Sequence, residues 1–362
     1  MTSQKLSPSK KAIYSVIFAA IIIVTVELLA STALIYFYRL KHMLPYEISP
    51  ISSVNFFHKA SKATLQFAGL CSDCNPPIDN RRDVNPSPFF RSDPILGYRP
   101  QPGNYTVTYS KRAGQQWRKV RINVTINVDG SRWTGNLPDP LKPSLFIFGD
   151  SFVFGEGVND GQTFSFLLQQ AMPNFNVRLF AGPAYSLTQA FLNFERLKHE
   201  ISDRDAIIVG YADFYDMRHV IAPAWLRQLN DPTIIARGNR LLPKASVNPN
   251  GAVSFSYVQQ DCFINHLCEQ PDPTKEEMQN VTAALANHIA ENTNAKSYLL
   301  HFSGVADNPV LHLLSKKLVL ISALPSDFDY QITDDVMGYD DHPGPYWHYA
   351  IFKKLQTVFR GE

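Results

Sequence analysis

The stretch 145–158 reads LFIFGDSFVFGEGV and constrains the fold more than any other part of the chain. Four apolar residues run directly into Gly149-Asp150-Ser151, and Gly155 and Gly157 follow before the next apolar-periodic run. An apolar run closed by a glycine-bearing turn predicts a buried strand that ends sharply. Such a turn can lift one serine hydroxyl clear of the backbone at the carboxyl end of a sheet. Ser151 is therefore the candidate nucleophile.

Around this stretch, from residue 143 onward, short apolar segments alternate with amphipathic ones. Strands are expected at 145–148, 177–180, 206–209, 297–302 and 318–321, and helices at 163–171, 187–201, 275–291, 308–315 and 346–359. In the second helix Leu187, Phe191, Phe194 and Leu197 share one face, with Glu195, Lys198 and Glu200 elsewhere. This alternation predicts an α/β fold with a parallel sheet covered on both faces. Such sheets bind ligands beyond the strand carboxyl ends, beside the first strand, where Ser151 falls. Segment 223–273 breaks the pattern, with six prolines and no clear period, and reads as an insertion, either a lid or a surface excursion.

Upstream, residues 1–11 form a polar tail with three lysines and no acid, and 12–40 carry a nearly uninterrupted apolar run closed by Arg39. That run is long enough to cross a hydrocarbon core of roughly 30 Å as a helix. It is read as a retained transmembrane anchor, because apolar sequence continues past the Ala30/Thr32 region where a signal peptide would be cleaved. Glu27 inside the run marks a contact with a membrane partner or a protonated carboxyl. Residues 41–92 read as a tether. Residues 93–140 read as a small β unit, because 105–109 and 120–128 alternate apolar and polar and Asp129-Gly130 marks a turn.

The four cysteines, Cys71, Cys74, Cys262 and Cys268, are disulfide candidates. Their even number suits an oxidising compartment, and their spacing does not suit a zinc site. A net charge of +2 gives no global signal for nucleic acid, and no cofactor or metal is expected. The body of the protein is expected outside the cytoplasm, in the periplasm or beyond, on a single-pass inner-membrane anchor.

A serine nucleophile needs a base, and the base needs an orienting acceptor. The carboxyl-terminal stretch 339–348 supplies His342 as the base and Asp340 as the orienting acid, with Asp341 as a competing choice. His348 is read as packing or capping. Oxyanion donors are expected from the N–H groups of Ser151 and Gly182. Asp150, Tyr185, Tyr211 and Asp213 lie in the same loops and are possible substrate-binding residues.

Phe148-Gly-Asp-Ser-Phe-Val-Phe-Gly-Glu-Gly157, Ala181-Gly-Pro-Ala-Tyr-Ser186 with Gln189, and Asp340-Asp-His342-Pro together resemble three blocks of the SGNH (GDSL-type) hydrolase superfamily. Asp93-Pro-Ile-Leu-Gly-Tyr-Arg-Pro and Gly130-Ser-Arg132 resemble a β prelude of its bacterial membrane-anchored members. The resemblance runs from residue 93 to the end. It implies a three-layer flavodoxin-like sandwich over 141–362 and a serine esterase with the triad Ser151, His342 and Asp340. The substrate implied is an acylated glycan or lipid of the cell envelope. The alternatives are an O-acyltransferase and a non-catalytic envelope binding protein. One block departs from the pattern. The third, usually Gly-x-Asn-Asp, reads Gly210-Tyr-Ala212-Asp213, so Ala212 holds the position of an oxyanion-donating asparagine, with Tyr211 or a side chain from the insertion as candidate substitutes.

Overall fold

The structure is a computed structural model and describes residues 80–113, 116–229, 240–260, 266–302, 308–323 and 342–360. The chain divides into two units, residues 1–77 and 78–362, and only the second lies among the described residues. The expected tail, the anchor at 12–40 with Glu27, Cys71, Cys74, Cys262 and Asp340 all lie outside them. Among the described residues no helix is long and apolar enough to cross a membrane.

The described residues open with strands β1 (Asn80–Asn85), β2 (Phe90–Asp93), β3 (Gly97–Pro100), β4 (Gly103–Ala113) and β5 (Gln116–Ile126). It continues through β6 (Ser144–Gly149), helix α1 (Ser151–Phe154), α2 (Phe164–Ala171), β7 (Asn176–Ala181), α3 (Leu187–Leu197) and β8 (Ala206–Tyr211). Next come α4 (Asp216–His219), α5 (Pro223–Leu229), β9 (Leu241–Val247), β10 (Val253–Gln259) and α6 (Lys275–Glu291). The last described elements are β11 (Lys296–His301), α7 (Pro309–His312), β12 (Leu318–Ser322) and α8 (Pro345–Arg360).

The central sheet has the order β12-β11-β8-β6-β7, and its pairings are parallel. Counted from β6 this is the 2-1-3-4-5 order of flavodoxin-like folds, with the switch point between β6 and β8. The five strands lie where the sequence places them, to within two residues at each end. Strand β6 forms because its side chains serve two cores at once. Leu145 and Ile147 enter the core with α2 and α8, while Phe146 and Phe148 enter the core with α3 and α6. All four are at most 1% exposed. Burial on that scale stabilises by about 1.5–3 kcal/mol for each side chain.

Two expectations change. The small β unit begins at Asn80, inside the expected tether, because β1 pairs antiparallel with β4. It is also not a separate layer. Tyr105, Val107, Ile122 and Val124 from β4 and β5 enter the same core as Leu145 and Leu179. The Arg132 N–H donates to the Leu179 carbonyl at 2.9 Å, bridging to β7. Segment 223–273, read as a lid or excursion, contains α5 and the β9–β10 hairpin over its described residues. The hairpin is packed into the body: Ala245 and Phe255 join the core under α3 and α6, and the Phe191 and Phe255 rings lie 5.0 Å apart. Among the described residues no cysteine is free, and Cys268 is buried.

Candidate active site

The turn after β6 is built around Asp150. Its Oδ1 accepts from the N–H groups of Phe152 and Val153 at 3.1 and 3.4 Å, capping α1. Ser151 is the first helical residue, whose N–H has no acceptor within the helix. Gly155 closes α1 in the left-handed region, at φ +83°, where a side chain would be strained. The short helix lies hard against the strand ends. A Cβ at Gly149 would sit 2.4 Å, and one at Gly210 2.1 Å, from a Val153 methyl. Only glycine at these two positions lets α1 approach that closely.

Ser151 Oγ lies 2.8 Å from His342 Nε2, across 191 residues of chain. His342 stands just before α8, and the Phe152 ring packs edge-on against its imidazole at 5.2 Å. Phe214, Phe302 and Trp347 surround the other edges of Phe152 at 5.6, 5.6 and 6.0 Å, forming an apolar wall beside the serine. Ser151 Oγ also lies 3.3 Å from Asp150 Oδ2. Burial raises the Asp150 carboxyl above its ordinary range, with Tyr215, Arg218 and His342 pulling it back. An imidazole nitrogen at hydrogen-bond distance can take the serine proton when that nitrogen is the unprotonated one, with the ring proton on Nδ1. The constellation can therefore deprotonate an alcohol at the carboxyl end of β6, beside the switch point.

The chain is similar in structure to lipolytic proteins of the G-D-S-L family. Against the crystal structure of TesA it is 12% identical, covering 60% of this chain and 98% of that one, with a TM-score of 0.36. A member of the lipolytic protein G-D-S-L family from Veillonella parvula gives 13%, 60%, 98% and 0.33. The psychrotrophic esterase EstA from Pseudoalteromonas sp. gives 12%, 61%, 98% and 0.31. No family model and no curated protein matches the chain.

The other residues singled out in the sequence take different places. Gly182 follows β7, and a Cβ there would press within 3.0 Å of the Tyr185 ring. Tyr185 is buried. Its hydroxyl donates to the Tyr98 carbonyl at 2.8 Å, while the Tyr98 hydroxyl donates to the Pro183 carbonyl at 3.0 Å. Tyr185 thus braces the Gly182 loop against β3 instead of facing a substrate. Tyr211 is buried in the α3/α6 core, and Ala212 in the opposite one. The Tyr211 hydroxyl donates to Asp216 Oδ1 at 2.9 Å and accepts from the Asn308 amide at 3.1 Å. It therefore cannot replace the missing asparagine. Asp213 is bound to His301 Nε2 at 2.8 Å and to the Asn308 amide at 2.5 Å. At Ala212, where a side-chain donor would stand, the structure has only a fully buried methyl.

His348 caps α2. The Phe164 N–H points to its Nδ1 at 3.4 Å, and the two rings stack at 5.7 Å. Burial pushes this imidazole down to about 3 and keeps it neutral. A cavity of about 930 Å³ lies between the β9–β10 hairpin and α6, and neither Ser151 nor His342 lines it.

The network behind β8 carries a pH prediction. Burial pushes Asp216 up to about 6, against an unfolded value near 4. The folded state therefore binds the extra proton. Stability from this group is complete below the unfolded value and is lost as pH rises through about 6. The full loss, from below the unfolded value to above 6, is on the order of 3 kcal/mol, and about half of it falls above pH 5. Urea denaturation at pH 5 and pH 8 checks this. The Thr282 hydroxyl also donates to Asp216 Oδ1, at 2.7 Å, and Asp216→Asn, which retains an acceptor oxygen for Tyr211 and Thr282, is expected to flatten that dependence. A parent-like slope in the variant would assign it to another group.

Proposed function

We propose that the chain is a serine ester hydrolase, anchored in the membrane and acting outside the cytoplasm on an acylated envelope glycan or lipid. The observation that carries the reading is the 2.8 Å contact between Ser151 Oγ and His342 Nε2 on a tight turn beside the switch point. Ser151 attacks the ester carbonyl and passes its proton to His342 Nε2. The imidazolium returns that proton to the leaving alkoxide, leaving an acyl-enzyme that water then opens by the same route in reverse. The N–H groups of Ser151 and Gly182 receive the oxyanion. Asp340 holds the Nδ1 proton, a role taken from the Asp-x-His spacing alone.

Ala212 removes one side-chain donor from the oxyanion site, and one such donor is typically worth about 10²–10³ in rate. The enzyme is therefore slow on simple esters or draws further binding from its own substrate. The apolar wall of Phe152, Phe214 and Trp347 offers a surface for an acyl chain or a sugar face. The apolar run at 12–40 and the cysteines support the anchored, extracytoplasmic setting. A fluorophosphonate probe followed by peptide mass mapping tests the chemistry. Label is expected on Ser151 and is expected to be lost in His342→Ala. Label on another serine, or on none, would leave a binding protein with a relic site.

A further inference from the structure

Glu156 lies two residues beyond α1, and its N–H donates to the Ser151 carbonyl at 3.0 Å. Its side chain is 12% exposed, and its two oxygens have different surroundings. Oε1 accepts from Arg82 Nη1 at 3.2 Å and from the Tyr109 hydroxyl at 3.4 Å. Both partners belong to the β unit, and the Arg82 guanidinium lies over the Phe89 and Tyr109 rings at 5.7 and 5.9 Å. Oε2 is turned to the site, 3.9 Å from His342 Nε2. That is too long for a direct hydrogen bond, and one water can bridge it at ordinary lengths.

We infer that Glu156 is a positioning residue that orients the deacylating water and so favours hydrolysis over transfer to an alcohol. The inference rests on the acyl-enzyme reading above. Once Oγ carries the acyl group, Nε2 must take its proton from the incoming nucleophile. Water has two protons: one passes to Nε2 as the oxygen bonds to the acyl carbon, and the other donates to Glu156 Oε2. The intermediate collapses, the bond from the acyl carbon to Oγ breaks, and the Nε2 proton moves to Oγ. The carboxylic acid leaves with the second proton and gives it to solvent. An alcohol has one proton, which Nε2 requires, so it presents carbon to the carboxylate and gains nothing from it.

Glu156→Gln is the informative change. Its amide oxygen can keep Arg82, which leaves the NH₂ facing the site, where it cannot accept from water. The full chain in detergent is given p-nitrophenyl acetate with graded methanol at constant pH, and methyl acetate and acetate are measured. Both products come from one acyl-enzyme, so their ratio reports the nucleophile step alone. The ratio is expected to rise at least about fivefold in Glu156→Gln. The double variant Arg82→Gln/Glu156→Gln leaves no buried charge unpaired and is expected to behave alike. An unchanged ratio in the folded variants would overturn the inference even if the overall rate fell. Failure of the parent to form an acyl-enzyme, read by intact mass after quenching, would overturn the acyl-enzyme reading and this inference with it.

Discussion

Ser151→Ala is expected to lower kcat/KM for an aryl ester by about 10⁴–10⁶-fold, with His342→Ala close behind and the double variant no worse than either alone. The expectation follows from the shared proton. With Ser151 Oγ 2.8 Å from Nε2, neither group acts without the other, so their removals do not add. The residual rate comes from the oxyanion donors and from binding. Initial rates over enzyme concentration, with circular dichroism as a control on folding, measure it. Activity within tenfold of the parent in Ser151→Ala would place the chemistry elsewhere. Additive losses would mean that the two residues serve separate steps.

The second large effect is on folding. Arg132→Met is expected to lower stability by about 3–5 kcal/mol in urea denaturation. The Arg132 side chain is fully buried, and its guanidinium donates to the carbonyls of Phe154, Gly155 and Val158, each at 2.7 Å. It pairs with Asp160 at 2.8 Å and lies over the Phe154 ring at 4.7 Å. Methionine replaces the apolar volume but leaves three carbonyls and a carboxylate without that donor. Lysine is expected to recover less than half of the loss, because a single ammonium cannot span this fork of acceptors. The same residue closes the loop after α1, so hydrolysis is expected to fall in Arg132→Lys even where the protein remains folded. A loss below about 1 kcal/mol in Arg132→Met would show that the loop is held by its own backbone and by Asp160.

Much of this is legible in the amino-acid sequence alone. The run 145–148 is apolar at every position because both faces of β6 are covered, and that pattern survives in one dimension. Ser151 and His342 were legible because each stands in a short local signature. Strand β1, by contrast, reads NRRDVN and has one apolar residue. It was invisible because edge pairing with β4 uses backbone groups that every residue carries. Tyr185 and Tyr211 stand in the right loops for substrate binding. Loop position does not say which way a ring points, and both turned inward to hydrogen-bond partners. Glu156 stood in plain view between two glycines. Its role became visible only through Arg82 and Tyr109, which reach it from another part of the chain.

Periodicity and turn chemistry, which act over a few neighbouring residues, thus determined the α/β order, the sharp turn at Ser151 and the histidine at the far end. Packing decided the rest: which face each aromatic ring occupies, that the β unit and the sheet share one core, and which atoms stand around Nε2. Those outcomes depend on distances between segments remote in sequence, and local preferences contain no term for such distances.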